Sequence, residues 1–258
     1  MRTRNMKQIT QFLLATALLS STSSAAPRLE ISEPEFNFGF VPQHADLSHD
    51  FWLYSTGDDS LKITRIVPGC SCTKTPLEKE NMAAGDSTLL HIMLDTKTFT
   101  RKITKGPRIW TNENKPESDA MTPDTFIMVH ADVMIDPLAT TPITIKPFKL
   151  DLTPVGKLVR DKMTFTLTNT SATPLKPTLV VAPTRFMEVT LPETIPAGGS
   201  ATGTIELKKE YLNTSIACSF TFQLDDALQT RFTVPVKRTV VSPANTATDI
   251  ASNATGKK

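Results

Sequence analysis

The sequence predicts an all-β protein of two tandem immunoglobulin-like β-sandwich domains behind a signal peptide. Three observations predict it. Apolar residues recur with a period of two from Pro34 onward. The runs are about five to nine residues long and are bounded by Gly, Pro, Asn or Asp, which is how a sandwich punctuates its strands. The pattern of the first half then returns in the second at a nearly constant offset.

The chain opens as a targeting signal. Arg2, Arg4 and Lys7 make a positive start, Ile9 to Leu19 an apolar stretch, and Ser23-Ser24-Ala25 a small-residue cleavage site, so the signal peptide is assigned to residues 1–25. That apolar stretch is shorter than the roughly twenty residues that span a bilayer, and no second run of membrane length follows, so the mature chain is expected to have no integral membrane segment. The expected location is periplasmic or secreted. Removing the signal leaves 25 Lys and Arg against 26 Asp and Glu, so the formal charge of +2 gives way to one near −1. No basic face is implied, and nucleic acid is excluded as an expected partner.

In the first domain, residues 26–136, Phe36 and Phe38 alternate with Glu35, Asn37 and Gly39. His49, Phe51, Leu53 and Ser55 alternate with Ser48, Asp50, Trp52 and Tyr54. The turn Ser55 to Ser60 precedes a strand over Leu61 to Val67. Leu90, Ile92 and Leu94 share one face of the next. Ile109 to Thr111 and Thr125 to Val133 supply two more. Met134 to Pro142 reads as a linker into the second domain, residues 137–241. Leu61–Val67 lies over Leu175–Val181 and Ser55–Gly57 over Asn169–Ser171, both at an offset of 114. Ala84-Gly85 lies over Ala197-Gly198 and Phe36 over Phe148, one and two residues shorter. Residues 242–258, poor in large apolar side chains, read as a disordered tail.

The stretch that could concentrate chemistry is Val67-Pro68-Gly69-Cys70-Ser71-Cys72-Thr73. Within it, Cys70-Ser71-Cys72 aligns with Thr184-Arg185-Phe186 of the second domain, a segment without cysteine. On an extended strand two cysteines at this spacing face the same side about 7 Å apart at Cα. That exceeds a disulfide's span unless the chain bends, which Pro68-Gly69 could provide. Three readings follow for Cys70 and Cys72: a structural pair, a soft-metal site holding Cu(I), or a redox pair. No Cys-x-x-Cys or His-x-x-x-His supports a four-ligand zinc site. Cys218 is read as a small buried hydrophobe, with a bridge to Cys70 or Cys72 as the alternative.

Catalytic sets are absent from the sequence: there is no Gly-x-Ser-x-Gly, and the pairs Asp58-Asp59 and Asp225-Asp226 fall in turns. No catalytic residue and no cofactor is expected, copper at the cysteine pair aside. His91 and His130 are expected at the surface of strands. Trp52, Tyr54 and Trp110 are either packing residues or marks of a recognition surface.

The first domain resembles a bacterial family, domain of unknown function 1573, which is immunoglobulin-like and related to the ASH domains of Hydin-type proteins. The residues that carry the resemblance are Pro34-Glu35-Phe36-Asn37-Phe38-Gly39, Ser55-Thr56-Gly57 with Leu61 and Ile63, Cys70-Ser71-Cys72-Thr73, Ala84-Gly85-Asp86-Ser87 and Thr111-Asn112-Glu113. The family usually has Cys-Gly-Cys-Thr and Pro-Gly where this chain has Cys-Ser-Cys-Thr and Ala-Gly. The resemblance covers about residues 34–133 and implies the fold, with the second domain a diverged relative. The expected function is an exported, non-catalytic binding or scaffolding protein with an unidentified protein partner. The alternatives are copper or thiol-redox work by Cys70 and Cys72 and, by fold analogy, a chaperone-like module.

Overall fold

The computed structural model describes residues 25–113, 121–156 and 158–240. The expected signal peptide and tail lie outside these residues, except for Ala25. In the first half the strands are β1 (Leu29–Ile31), β2 (Glu35–Pro42), β3 (Asp46–Ser55), β4 (Leu61–Val67), β5 (Thr73–Lys74), β6 (Asn81–Met82), β7 (Ser87–Asp95), β8 (Arg101–Lys105), β9 (Arg108–Thr111), β10 (Thr125–Phe126) and β11 (Met128–Met134). The second half holds β12 (Ile143–Lys146), β13 (Leu150–Asp151), β14 (Lys162–Asn169), β15 (Pro177–Val181), β16 (Met187–Thr190), β17 (Ser200–Leu207), β18 (Ile216–Leu224) and β19 (Arg231–Arg238). Two short 3-10 turns, Pro137–Ala139 and Lys209–Tyr211, complete the regular structure among the described residues.

Alternation decides which face each strand buries. On β3, Leu47, His49, Phe51, Leu53 and Ser55 point inward while Trp52 and Tyr54 point out. β7 matches it with Leu90, Ile92 and Leu94 inside. The buried side chains gather into two clusters, one of residues between Phe36 and Val133 and one between Ile143 and Val236.

One sheet has the order β1-β3-β7-β5, and its counterpart in the second half is β12-β14-β17-β16. The repeat seen in the sequence recurs as a repeat of register. Leu29 pairs with Ser55 as Ile143 pairs with Asn169, and Tyr54 pairs with Ser87 as Thr168 pairs with Ser200. The turns match as well. Ser55 N donates to Asp86 O at 2.9 Å and Asn169 N to Gly199 O at 2.9 Å, and the glycines of the two turns, Gly85 and Gly198, both have positive φ.

One feature is not as expected, and a second was left open by the sequence. The run Thr125 to Val133 is not one strand: it breaks at Ile127, because β10 pairs with β9 while β11 pairs with β2 and β8. The neighbouring chain breaks at the same place, Gly106-Pro107, between β8 and β9. A Cβ on Gly106 would lie 1.8 Å from Ile127 O, so the two strands change sheets together around a residue that has no side chain.

The second feature is the junction of the halves. A single sheet of order β15-β18-β19-β2-β11-β8, joined by β13 against β19, runs through both. β2 meets β19 in parallel at Phe40 and Phe232. Gly39 makes this contact. Its φ of +67° bulges β2 away from β11, and Thr233 Oγ1 donates to the displaced Phe38 carbonyl at 2.6 Å. Beside it, Ser48 and Ser219 exchange bonds: Ser48 N donates to Ser219 Oγ at 3.0 Å and Ser219 N to Ser48 Oγ at 3.2 Å. Phe40 packs on the second core and Val181 on the first.

A Cβ on Gly39 would sit 2.1 Å from Arg231 O, whereas one on Gly85, also at positive φ, would meet nothing within 4 Å. Gly85→Ala should therefore cost only the conformational penalty of about 1–2 kcal/mol. Gly39→Ala should cost clearly more, because it also forces β2 off β19. Urea denaturation of the two variants checks this; equal losses would show that the junction carries no special weight.

Candidate functional site

Three places bear on function: the outer face of β3 and β7, the cleft it leads into, and the cysteine turn. The outer face follows from the period of two. With Phe51 and Leu53 in the core, Trp52 and Tyr54 have to point out, and they are 44% and 37% exposed. Their rings lie nearly parallel, 22° apart, with centroids separated by 6.3 Å. Leu89 and Ser87 of β7 lie beside them, and Glu30 of β1 pairs with Tyr54. Trp110 is elsewhere. It sits half-buried on β9 in the opposite sheet, under the Arg65 guanidinium at 4.8 Å. Of the three aromatic candidates, then, the fold brings two together and uses the third for packing.

Further along the same face the registers continue to Asp50 opposite His91 and Ser48 opposite Met93. There the face enters a cleft of about 530 Å³ between the halves, walled on the far side by Val181, Arg185 and Phe186. His91 is fixed between two carboxylates, Nδ1 2.7 Å from Asp50 Oδ1 and Nε2 3.3 Å from Glu78 Oε1. Partial burial opposes its charge, but the hydrogen bonds and charges of Asp50 and Glu78 together outweigh that and hold its pKa above the usual value. His130 is likewise half-buried, with Nε2 2.8 Å from Glu35 Oε1 and Nδ1 2.9 Å from Thr104 Oγ1.

The sequence did not mark His49 out as a site. It is buried at the junction, stacked on Phe36 with centroids 3.7 Å apart, and its Nδ1 has no hydrogen-bond partner among the described residues. Burial drives its pKa down to about 4; Asp50 pulls the other way, and the Arg231 charge adds to the fall. Its place in the alternation signals burial, but only the packing of the second half supplies Arg231.

Cys70 and Cys72 form a disulfide with Cα atoms 5.2 Å apart. The required bend is present. Gly69 has φ +85°, and Thr73 N closes the turn on Cys70 O at 3.3 Å. Positive φ falls on Gly69 and not on Ser71, so the Ser between the cysteines costs the backbone nothing. Cys72 is buried in the first core and Cys70 half-buried against it, while Ser71 is exposed. Thr73 Oγ1 lies 3.2 Å from Cys70 Sγ and 3.8 Å from Cys72 Sγ, and Lys97 Nζ donates to Ser71 Oγ at 3.2 Å. In this state neither sulfur is a thiolate, so copper binding would first require reduction of the bond. Among the described residues no group of three or more His, Cys, Asp or Glu side chains is placed to hold a metal. A bridge this short is also a poor staple. Chain entropy assigns it roughly 1.5 kcal/mol, against about 3 kcal/mol for a loop of about fifteen residues. Cys218 is the free cysteine among the described residues, buried, with its thiol pushed up to about 12 by that burial.

Residues 29–122 match the family described as a protein of unknown function, DUF1573. The match contains every motif on which the resemblance rests, from Pro34 to Glu113, and leaves the second half outside. No curated protein matches the chain. A protein of unknown function from Porphyromonas gingivalis W83 is similar at 15% identity and TM-score 0.33, over 82% of this chain and 99% of that one. The ASH/PapD-like domain 7 of human CEP192 is similar at 7% identity and TM-score 0.34, over 49% and 99%. The YadV chaperone is similar at 10% identity and TM-score 0.29, over 81% and 98%. None of these likenesses reaches a TM-score of 0.5, and none bears on function.

The depressed pKa of His49 makes stability depend on pH with a definite sign. The folded protein resists protonating His49, so its contribution is present above the unfolded value of 6.5 and is lost as pH falls toward about 4, by up to about 3 kcal/mol. His91, with the opposite shift, gives its full contribution below 6.5 and does not add to this slope. Asp86 and Asp151, held low, lose theirs only below the ordinary Asp value of 3.8. Urea denaturation between pH 7 and 4 should show the loss, and His49→Phe should flatten it.

Proposed function

We propose that this chain is an exported, non-catalytic binding or scaffolding protein. It acts through protein–protein contacts on the outer face of β3 and β7. One observation carries the reading: Trp52 and Tyr54 stand exposed side by side with nearly parallel rings, on a sheet whose face runs on into the cleft between the halves. Aromatic side chains offer large contact area at little entropic cost, and they dominate interfaces when they sit at the centre of a patch. The surrounding residues suit a rim: Glu30, Asp50 and Ser87 are polar and exposed, while Leu89 and Met93 are half-buried.

The rest of the molecule supports a holding role over a reacting one. His91 and His130 are tied to carboxylates, and His49 is buried against Phe36. The continuous sheet through both halves fixes the cleft walls relative to the aromatic pair.

The test is capture of partner proteins from the compartment in which the chain is found, by the wild type and by variants. Trp52→Ala with Tyr54→Ala should weaken capture of any specific partner by about thirtyfold or more, corresponding to a hot-spot loss of about 2 kcal/mol. Trp110→Ala, in the opposite sheet, should leave capture unchanged. Equal capture by wild type and the Trp52/Tyr54 variant would remove the proposed site.

A further inference from the structure

We propose that the Cys70–Cys72 bond is a thiol–disulfide exchange site for a thiol-bearing substrate, with Cys70 the attacked sulfur and Thr73 and Lys97 supplying a hydrogen bond and positive charge. This adds exchange chemistry at the cysteine turn, confines the non-catalytic reading to the β3–β7 face, and does not depend on that reading.

Three features of the turn favour exchange, the first being unequal access to the two sulfurs. Cys72 is 4% exposed and belongs to the core, whereas Cys70 is half-buried beside the exposed Ser71, so an incoming thiolate reaches Cys70. The second is what surrounds the pair. The Thr73 hydroxyl is within reach of both sulfurs and can turn to whichever carries charge during exchange. The third is the effort spent on placing Lys97. Its φ is +42°, a left-handed backbone costly for any residue with a side chain. Two bonds hold it there: Lys97 N donates to Asp95 Oδ1 at 2.8 Å, and His44 N, itself at positive φ, donates to Lys97 O at 2.8 Å. The result is an ammonium group bonded to the residue between the two cysteines. Positive charge beside a cysteine favours its thiolate and so speeds exchange. A bond that closes so short a loop does little as a staple, so its presence needs another account.

A substrate thiolate attacks Cys70 Sγ and forms a mixed disulfide. The Cys70–Cys72 bond breaks with its electron pair on Cys72 Sγ, which takes a proton. A second thiol of the substrate, as thiolate, then attacks the substrate's own sulfur in the mixed disulfide, and Cys70 leaves and is protonated. The substrate dithiol is oxidised to a disulfide and the cysteine pair is reduced to two thiols; run in reverse, the same steps pass electrons to a substrate disulfide.

The experiment compares the full chain with the isolated peptide Val67–Lys74 in glutathione redox buffers, with thiols trapped and located by mass spectrometry. The expected result is a bond reduced at least as readily in the protein as in the peptide, with the glutathione adduct on Cys70. A protein bond that survives tenfold or more stronger reducing conditions than the peptide's would show that the fold keeps it as a staple, and would overturn the proposal. An adduct confined to Cys72 would overturn the assignment of the attacked sulfur. A reduced two-cysteine polypeptide used in place of glutathione separates the sources of thiol. Faster reaction with it identifies a protein substrate, faster reaction with glutathione a small thiol, and reaction with neither sinks the idea. Lys97→Gln should slow exchange severalfold and move its pH profile upward while leaving the thermal transition in place; an unmoved profile would remove Lys97 from the site.

Discussion

The architecture depends on one contact between backbones far apart in sequence: the bulge of β2 at Gly39, which hands the Phe38 carbonyl to Thr233 on β19. Two sandwiches that merely follow one another would each end in their own sheet edges. Here an edge is removed from each, because β2 and β19 complete one another. The Ser48–Ser219 exchange and the stack of His49 on Phe36 then sit on ground already fixed, and so does the cleft between β7 and the segment after β15. The junction is polar where backbone groups need partners and apolar where Phe40 and Val181 cross into the opposite core.

Duplication explains much of the rest. The two halves keep the same strand register at offsets of 114 and 113, yet the same turn is used in two ways. In the first half Cys70-Ser71-Cys72 forms a covalently closed turn against the core. In the second, Arg185 and Phe186 occupy that place without cysteines and wall the cleft instead, the guanidinium 5.4 Å from the Phe186 ring.

What the sequence made legible was local. The alternation of β3 showed which side chains face out, β4 was bounded correctly from Leu61 to Val67, and the chain bends at Gly69 as a bridge at that cysteine spacing requires. The repeat was legible because register is a matter of counting. What was not legible depended on partners remote in the chain. A strand that changes sheets at Ile127 carries the same period of two as one that does not, so only the bare backbone of Gly106 hints at the break. Trp52 and Trp110 are equally aromatic in sequence, but their sheets lie on opposite sides of one core. The environment of His49 could not be read at all without Arg231 from the far end of the chain.

The sharing of one sheet also sets an order of events. The hydrogen bond from Thr233 to Phe38 spans 195 residues, close to the longest loop the described chain could close. Long closures are paid for in entropy before any contact rewards them, so such pairings form late and slowly. β2 is synthesised well before β19, the last of the described strands. Until β19 arrives, β2 presents its bulged edge with no partner on that side. The first half is thus made early but finished late, and through that interval its own β2 edge is the part of the molecule most open to pairing with the wrong strand.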